Sequence, residues 1–259
     1  MRRRIITALV AGTAAALLAA CGPLAEDAAA PATSAPATPQ EKLAAAVPDG
    51  TEGRYAFALK DGESTTKGVV DAKAKRSTLT VTYKEPEVGF TMTMSYLLVE
   101  ADQWVKITFD KQLPGMPKLP KKWLLIDKSK VDDGAPVSPA DPDPVGAGDL
   151  VDAIVEVKES KPGTFTGTVD LTKADKAAIV DEEGLAALGG KAKAVPFTAT
   201  VDDAGRLASI DIKVPAHGEV KAATHHATFS AYGSAPEVSA PSAGASQPAP
   251  AAAYELLNA

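Results

Sequence analysis

Few residues in this 259-residue chain are of types that carry chemistry on their own: one cysteine, three histidines and some clustered acids. Cys21 follows Leu18-Ala19-Ala20 and closes an uncharged run that begins at Ile5, just after Arg2, Arg3 and Arg4. A positive start, a short apolar stretch and small residues before a processing point describe a signal peptide over 1–20, not a spanning helix. LAAC at 18–21 reads as a bacterial lipobox, in which the thiol receives a diacylglyceryl group before cleavage. Cys21 is therefore the predicted lipidation site. An ordinary secretory signal followed by an unrelated cysteine is the alternative, and the only cysteine standing at the required position argues against it. His225 and His226 are adjacent, so on a strand they would point to opposite faces, which is poor geometry for chelating one metal. Asp141, Asp143 and Asp149 lie among prolines and glycines, but not at the spacing of an EF-hand loop. Asp132-Asp133 and Glu182-Glu183 read as solvated turn and helix surface. No nucleophile elbow, zinc-protease helix, phosphate-binding loop or dinucleotide fingerprint is present in the sequence. The chain is read as a non-enzyme, with no cofactor and no metal expected.

Composition narrows the classes further. A lone cysteine excludes an intramolecular disulfide framework and a paired-cysteine redox site. With 27 basic residues against 33 acidic ones and a pI near 5.2, a nucleic-acid partner is not expected, because phosphate contacts need a basic surface. Cleavage before Cys21 would leave 24 basic against 33 acidic residues. Acyl chains on Cys21, at roughly 0.8 kcal/mol per buried CH₂, would make the membrane the chain's partner. The expected location is the extracytoplasmic face of the cell membrane. The sequence names no protein partner.

The elements that would position anything else fall between two biased segments. Residues 21–47 are rich in Ala, Pro, Ser and Thr and read as a lipidated disordered linker, with a short helical turn over 40–46 at the domain entrance. Residues 239–259 are again rich in Ala, Pro and Ser and read as a disordered tail. The folded body is then 48–238. Within it Tyr55, Phe57 and Leu59 alternate, as do Leu79, Val81 and Tyr83. Phe90, Met92, Met94, Tyr96 and Leu98 form the longest run, faced by Thr91, Thr93 and Ser95. Further alternating stretches occupy 104–109, 123–127, 165–171, 197–201, 207–214 and 220–232. Roughly nine to eleven strands with one apolar and one polar face are predicted, separated by turn signals such as Lys161-Pro162-Gly163 and Asp202-Asp203-Ala204-Gly205. The expected class is α+β, mostly β: a large curved antiparallel sheet, a half-barrel, with two or three short helices on its concave face. Leu150, Val151, Ile154 and Val155 form a helical stripe over 149–157, though their β-branched content leaves a strand reading open. Residues 172–188 predict two short helices divided at Gly184.

A wide sheet covered by so few helices would leave an apolar space, and such a space can hold a hydrophobic ligand without directional bonds. The predicted lining is Phe57, Leu79, Val81, Phe90, Met92, Met94, Leu150, Val151, Ile154 and Val155. Trp104 or Val105 and Leu125 or Ile126 would extend it. The alternative is that these side chains pack together into a solid core, leaving a surface-displayed interaction or sensor protein. Several stretches resemble a known group: WVKIT at 104–108, KWLLIDKS at 122–129, GTVDLT at 167–172, FTATVDDAGRL at 197–207 and ATFSAYGSAPEVSAP at 227–241. Together they are similar to the LppX/LprA/LprG group of actinobacterial lipoproteins, which has a LolA/LolB-like fold. That resemblance implies a U-shaped sheet whose concave face takes acyl chains. It further implies a lipid carrier or chaperone for an acylated lipid, glycolipid or lipoglycan of the cell envelope.

Overall fold

The computed structural model describes residues 37–62, 64–132 and 141–258. The predicted signal peptide, Cys21 and the first part of the predicted linker lie outside the described residues. Alternation of apolar and polar side chains becomes β1 (Tyr55–Asp61), β2 (Ser64–Asp71), β3 (Arg76–Glu85), β4 (Phe90–Val99), β5 (Asp102–Phe109) and β6 (Trp123–Leu125). After the helical segments come β7 (Ile154–Lys161), β8 (Thr164–Val169), β9 (Val195–Val201), β10 (Leu207–Val214), β11 (Ala223–Ser230) and β12 (Ser246–Pro248). All twelve form one curved, unclosed sheet in the order β12-β6-β5-β4-β3-β2-β1-β11-β10-β9-β8-β7. Short turns make most sequential strands neighbours, and every pairing is antiparallel except β12 with β6, which is parallel. The sheet is thus mixed, not purely antiparallel.

The register gives the sheet one apolar face. Across β2 to β6 the inward residues line up as Gly68, Leu79, Tyr96, Val105 and Leu124. Across β1 to β9 they line up as Leu59, Ala227, Ile210 and Ala199. β2 escapes the sequence pattern because its inward positions are Ser64, Thr66, Gly68 and Val70, of which only the last is large and apolar. Gly68 is required there: a Cβ would stand 2.7 Å from the Phe57 ring and 2.0 Å from the Thr78 carbonyl oxygen.

Helices α1 (Pro39–Ala44), α2 (Ala147–Asp152) and α3 (Glu182–Leu188) cover the β1 and β7–β11 part of this face. Helix α1 therefore lies inside the expected disordered linker. Thr38 and Glu41 form a capping box at the start of α1, and Leu43 is fully buried. That one leucine supplies the anchor that the Ala/Pro composition concealed. The Lys42 ammonium also meets Glu159 on β7 at 2.7 Å. The stripe over 149–157 divides: α2 ends at Asp152, and Ile154 opens β7. A bulge at the β7–β8 pairing turns Val155 outward, where it is 54% exposed. The segment 172–188 is likewise not two helices split at Gly184. A 3₁₀ turn at Leu171–Lys173, capped by Asp170, precedes α3, and Gly184 lies inside α3, whose N-cap Asp181 accepts from the Gly184 amide at 2.8 Å.

The expected disordered tail is ordered in the structure. After β11, Val238 packs on Leu97 and Trp104 on the outer face. The chain then pairs as β12 with the edge strand β6 and ends as α4 (Ala251–Leu257) on the inner face, where Ala253 is fully buried against Val105, Ile107 and Leu124. Tyr254 Oη accepts from the Asp127 amide at 2.9 Å, and Asn258 bonds the backbone of Asp132 and Lys130. Small alanines favour this course, because they let the helix approach the sheet closely. Composition alone reads the same alanines as disorder.

Candidate functional site

Two covers on one apolar face leave a middle zone. On one side, α1, α2 and α3 close over a core that includes Phe57, Phe165, Phe197 and Phe229. On the other, α4 seals Val105, Ile107 and Leu124. Between them lie the inward residues of β2, β3 and β4. Here Leu79, Val81, Phe90, Met92 and Met94 are all half-buried, and Tyr83 at the far end is 38% exposed.

The register sets these side chains next to one another. Val81 pairs with Met94, and Met94 with Ile107. Tyr83 pairs with Met92, and Met92 with Phe109. Phe90 and Phe109 meet edge-on with centroids 6.2 Å apart. Along β4 the inward positions from Phe90 to Tyr96 cover roughly 20 Å at about 3.4 Å per residue, a strip on which a hydrocarbon chain can be laid. The surroundings are poor in polar groups. Burial alone pushes the Tyr96 phenol up to about 12, and the Tyr96 hydroxyl finds the Met94 sulfur at 3.9 Å. Two methionines give such a strip an adaptable surface.

The predicted lining residues separate into three groups. Leu79, Val81, Phe90, Met92 and Met94 occupy the half-covered zone, with Leu79 touching the core under α1–α3 and Met92 and Met94 touching the cluster under α4. Phe57, Leu150 and Val151 are instead consumed by the packed core, at 4%, 3% and 1% exposure, whereas a side chain facing a void wide enough for an acyl chain keeps accessible surface. Ile154 packs against that same core, and Val155 faces solvent. The open choices resolve by register. Val105 points inward opposite Tyr96, while Trp104 points outward opposite Leu97. Leu125 lies outward opposite Trp104, and Ile126 joins the cluster under α4. Tyr96 and Phe109 are partly buried in the same zone and fall outside the predicted lining, whereas Ile107 and Leu124 are closed under α4 at 3% and 0% exposure. The alternation over 104–109 carries the signal for Phe109.

The polar candidates are engaged elsewhere. His225 is buried on the inner face 3.2 Å from Asp61, and His226 lies outside, 2.6 Å from Asp211. Burial lowers the His225 imidazole below its ordinary value, with Asp61 pulling the other way. Asp143 accepts from the Gly148 amide at 2.7 Å at the start of α2, and burial raises its carboxyl. Asp149 accepts from the Lys176 amide. The three aspartates therefore serve backbone amides and do not converge. Among the described residues no group of three or more His, Cys, Asp or Glu side chains could hold a metal, and no helix is long and apolar enough to cross a membrane. No protein-family model matches the chain, and no curated protein matches it.

Proposed function

We propose that this chain is a cell-envelope lipoprotein, anchored through acylated Cys21 at the extracytoplasmic face of the cell membrane, that binds acylated lipid or lipoglycan as a carrier or chaperone. One observation carries the binding part: the strip of half-buried apolar side chains on β3 and β4 between two helical covers. Each 100 Å² of that strip removed from water by an acyl chain contributes about 2.5 kcal/mol. The lipobox carries the anchoring part, and the likeness of the quoted stretches to the LppX/LprA/LprG group agrees with both. The tight packing around Phe57, Phe165, Phe197 and Phe229 supports a second reading, a non-catalytic interaction protein with a solid core.

The two are separated by native mass spectrometry of the full chain carrying Cys21→Ser, which removes the covalent lipid. Carrier function requires a non-covalent adduct of lipid mass that Met94→Trp diminishes. A bare chain under conditions that preserve other protein–lipid complexes refutes it. Incorporation of labelled palmitate into the wild-type chain and not into the Cys21→Ser chain tests the anchor.

A further inference from the structure

The outer face of the same sheet is as regular as the inner one, and its chemistry is different. One register row, from β4 to β10, reads Ser95, Thr80, Lys67, Ala58, Thr228 and Ser209. The next reads Thr93, Thr82, Thr65, Lys60, His226 and Asp211. Strands about 4.8 Å apart therefore present an array of hydroxyl groups broken by two lysines. At Ala58 and Ala56 the side chains shrink to methyls, with Lys67 on the β2 side and Thr228 and Ser230 on the β11 side. The result is an open hollow of about 400 Å³, within the range of ligand-sized clefts. Val238, packed on Leu97 and Trp104, covers the adjoining row.

Of the hollow's polar groups, Thr78 accepts from the Val69 amide at 3.1 Å and Thr80 donates to Ser95 at 3.3 Å, while Lys67, Thr228 and Ser230 are unspent, with Lys60 in the next row beside it. The side chains of Lys60, Lys67, Thr228 and Ser230 make no hydrogen bond or ion pair among the described residues. The one carboxylate in these two rows, Asp211, is held by His226 at 2.6 Å. In a chain of net charge −6, acids are abundant, and two free ammonium groups beside a hydroxyl-lined hollow are an exception to that balance.

We infer that this outer face binds an anionic glycan, its sugar ring seated on the Ala56 and Ala58 methyls. Its hydroxyls exchange hydrogen bonds with Thr228 and Ser230, and its carboxylate or phosphate groups meet Lys60 and Lys67. Hydroxyl side chains serve as both donor and acceptor, which suits polyhydroxylated ligands, and lysine acts on an acid group as a point charge. This site is independent of the apolar strip behind it.

Biolayer interferometry of the full chain in mild detergent tests it, with immobilised alginate as the anionic glycan, dextran as its uncharged counterpart and phosphatidylglycerol vesicles as an anionic surface without sugar. Expected is binding to alginate, weakened by salt, and little to dextran or vesicles. The double variant Lys60→Gln/Lys67→Gln should bind alginate roughly tenfold more weakly, given that exposed charge contacts are individually modest. Ala58→Phe, which fills the hollow, should weaken it too, and Lys191→Gln, on a distant turn, should leave it unchanged. Circular dichroism confirms that each variant is folded. No binding to alginate, equal binding by the double variant, or preference for the vesicles overturns the inference.

Discussion

Met94→Ala and Phe197→Ala probe the two parts of the inner face and should differ sharply. Phe197 sits at 3% exposure between Ile212 and Gly167 in register, beneath the α1–α3 cover. Truncating a phenylalanine there costs about 3–5 kcal/mol, the lost transfer energy plus that of a cavity. Met94 also occupies an inward position, between Val81 and Ile107, but it is half-buried. It packs against the cluster under α4 but keeps part of its surface in water. A fully buried methionine would cost about 2–5 kcal/mol on truncation, so a half-buried one at an open strip should cost about 1 kcal/mol. At roughly 2–4 °C per kcal/mol for a domain of this size, thermal melts followed by circular dichroism should show a loss of a few degrees for Met94→Ala. For Phe197→Ala the loss should be roughly 10 °C or more. Equal losses would mean that Met94 belongs to a closed core, and the separation of the inner face into packed and half-covered zones would be wrong.

Three further outcomes follow from local geometry. Gly146, at φ +66°, is placed so that a Cβ would stand 2.6 Å from the Ala177 Cα; Gly146→Ala should lower stability by at least about 2 kcal/mol, and an unchanged melting temperature contradicts that packing. Because burial depresses the folded-state pKa of His225, the unfolded chain takes up the proton first. Stability from this group is therefore full above about 6.5 and is lost as pH falls through the lowered folded value. His225→Gln should flatten the melting-temperature profile just below pH 6.5, and a profile parallel to wild type would refute the assignment. Ala253→Asp would put an unpartnered carboxylate against Val105, Ile107 and Leu124. A seven-residue helix does not persist undocked, so amide hydrogen exchange over Ala251–Leu257 should become unprotected while β8 to β11 stay protected. Retained protection in α4 would show that it is not held by the Ala253 contact.

The strands were legible because apolar and polar residues alternate openly in β1, β3 and β4. β2 was hidden because its inward face carries Ser64, Thr66 and Gly68 before its one large apolar residue, Val70. The elements read least well are those whose fate is set by one tertiary contact. Leu43 anchors an Ala/Pro-rich entrance, Ala253 anchors an Ala/Pro-rich tail, and a bulge turns Val155 out of a pattern that suits helix and strand equally. The stretches that carry the resemblance prove to be turn and corner chemistry. Asp127 and Asp170 cap 3₁₀ turns through Ser129 and Thr172. Asp202 accepts from the Arg206 guanidinium at 2.7 Å, that guanidinium stacks over the Tyr232 ring, and the Tyr232 hydroxyl donates to the Leu207 carbonyl at 2.6 Å. Of the candidate site, Leu79, Val81, Phe90, Met92 and Met94 were readable from alternation. Which inward residues stay uncovered was not, because coverage depends on where α2 stops and where the tail returns.

Photocrosslinking addresses the apolar strip most directly. The full chain, irradiated with a diazirine-bearing palmitate and digested, should carry adducts on β3 and β4 at Val81, Met92 and Met94, and Val81→Asp should abolish them in a folded chain. Adducts scattered over the exterior, or none at all, would contradict acyl-chain binding on this face.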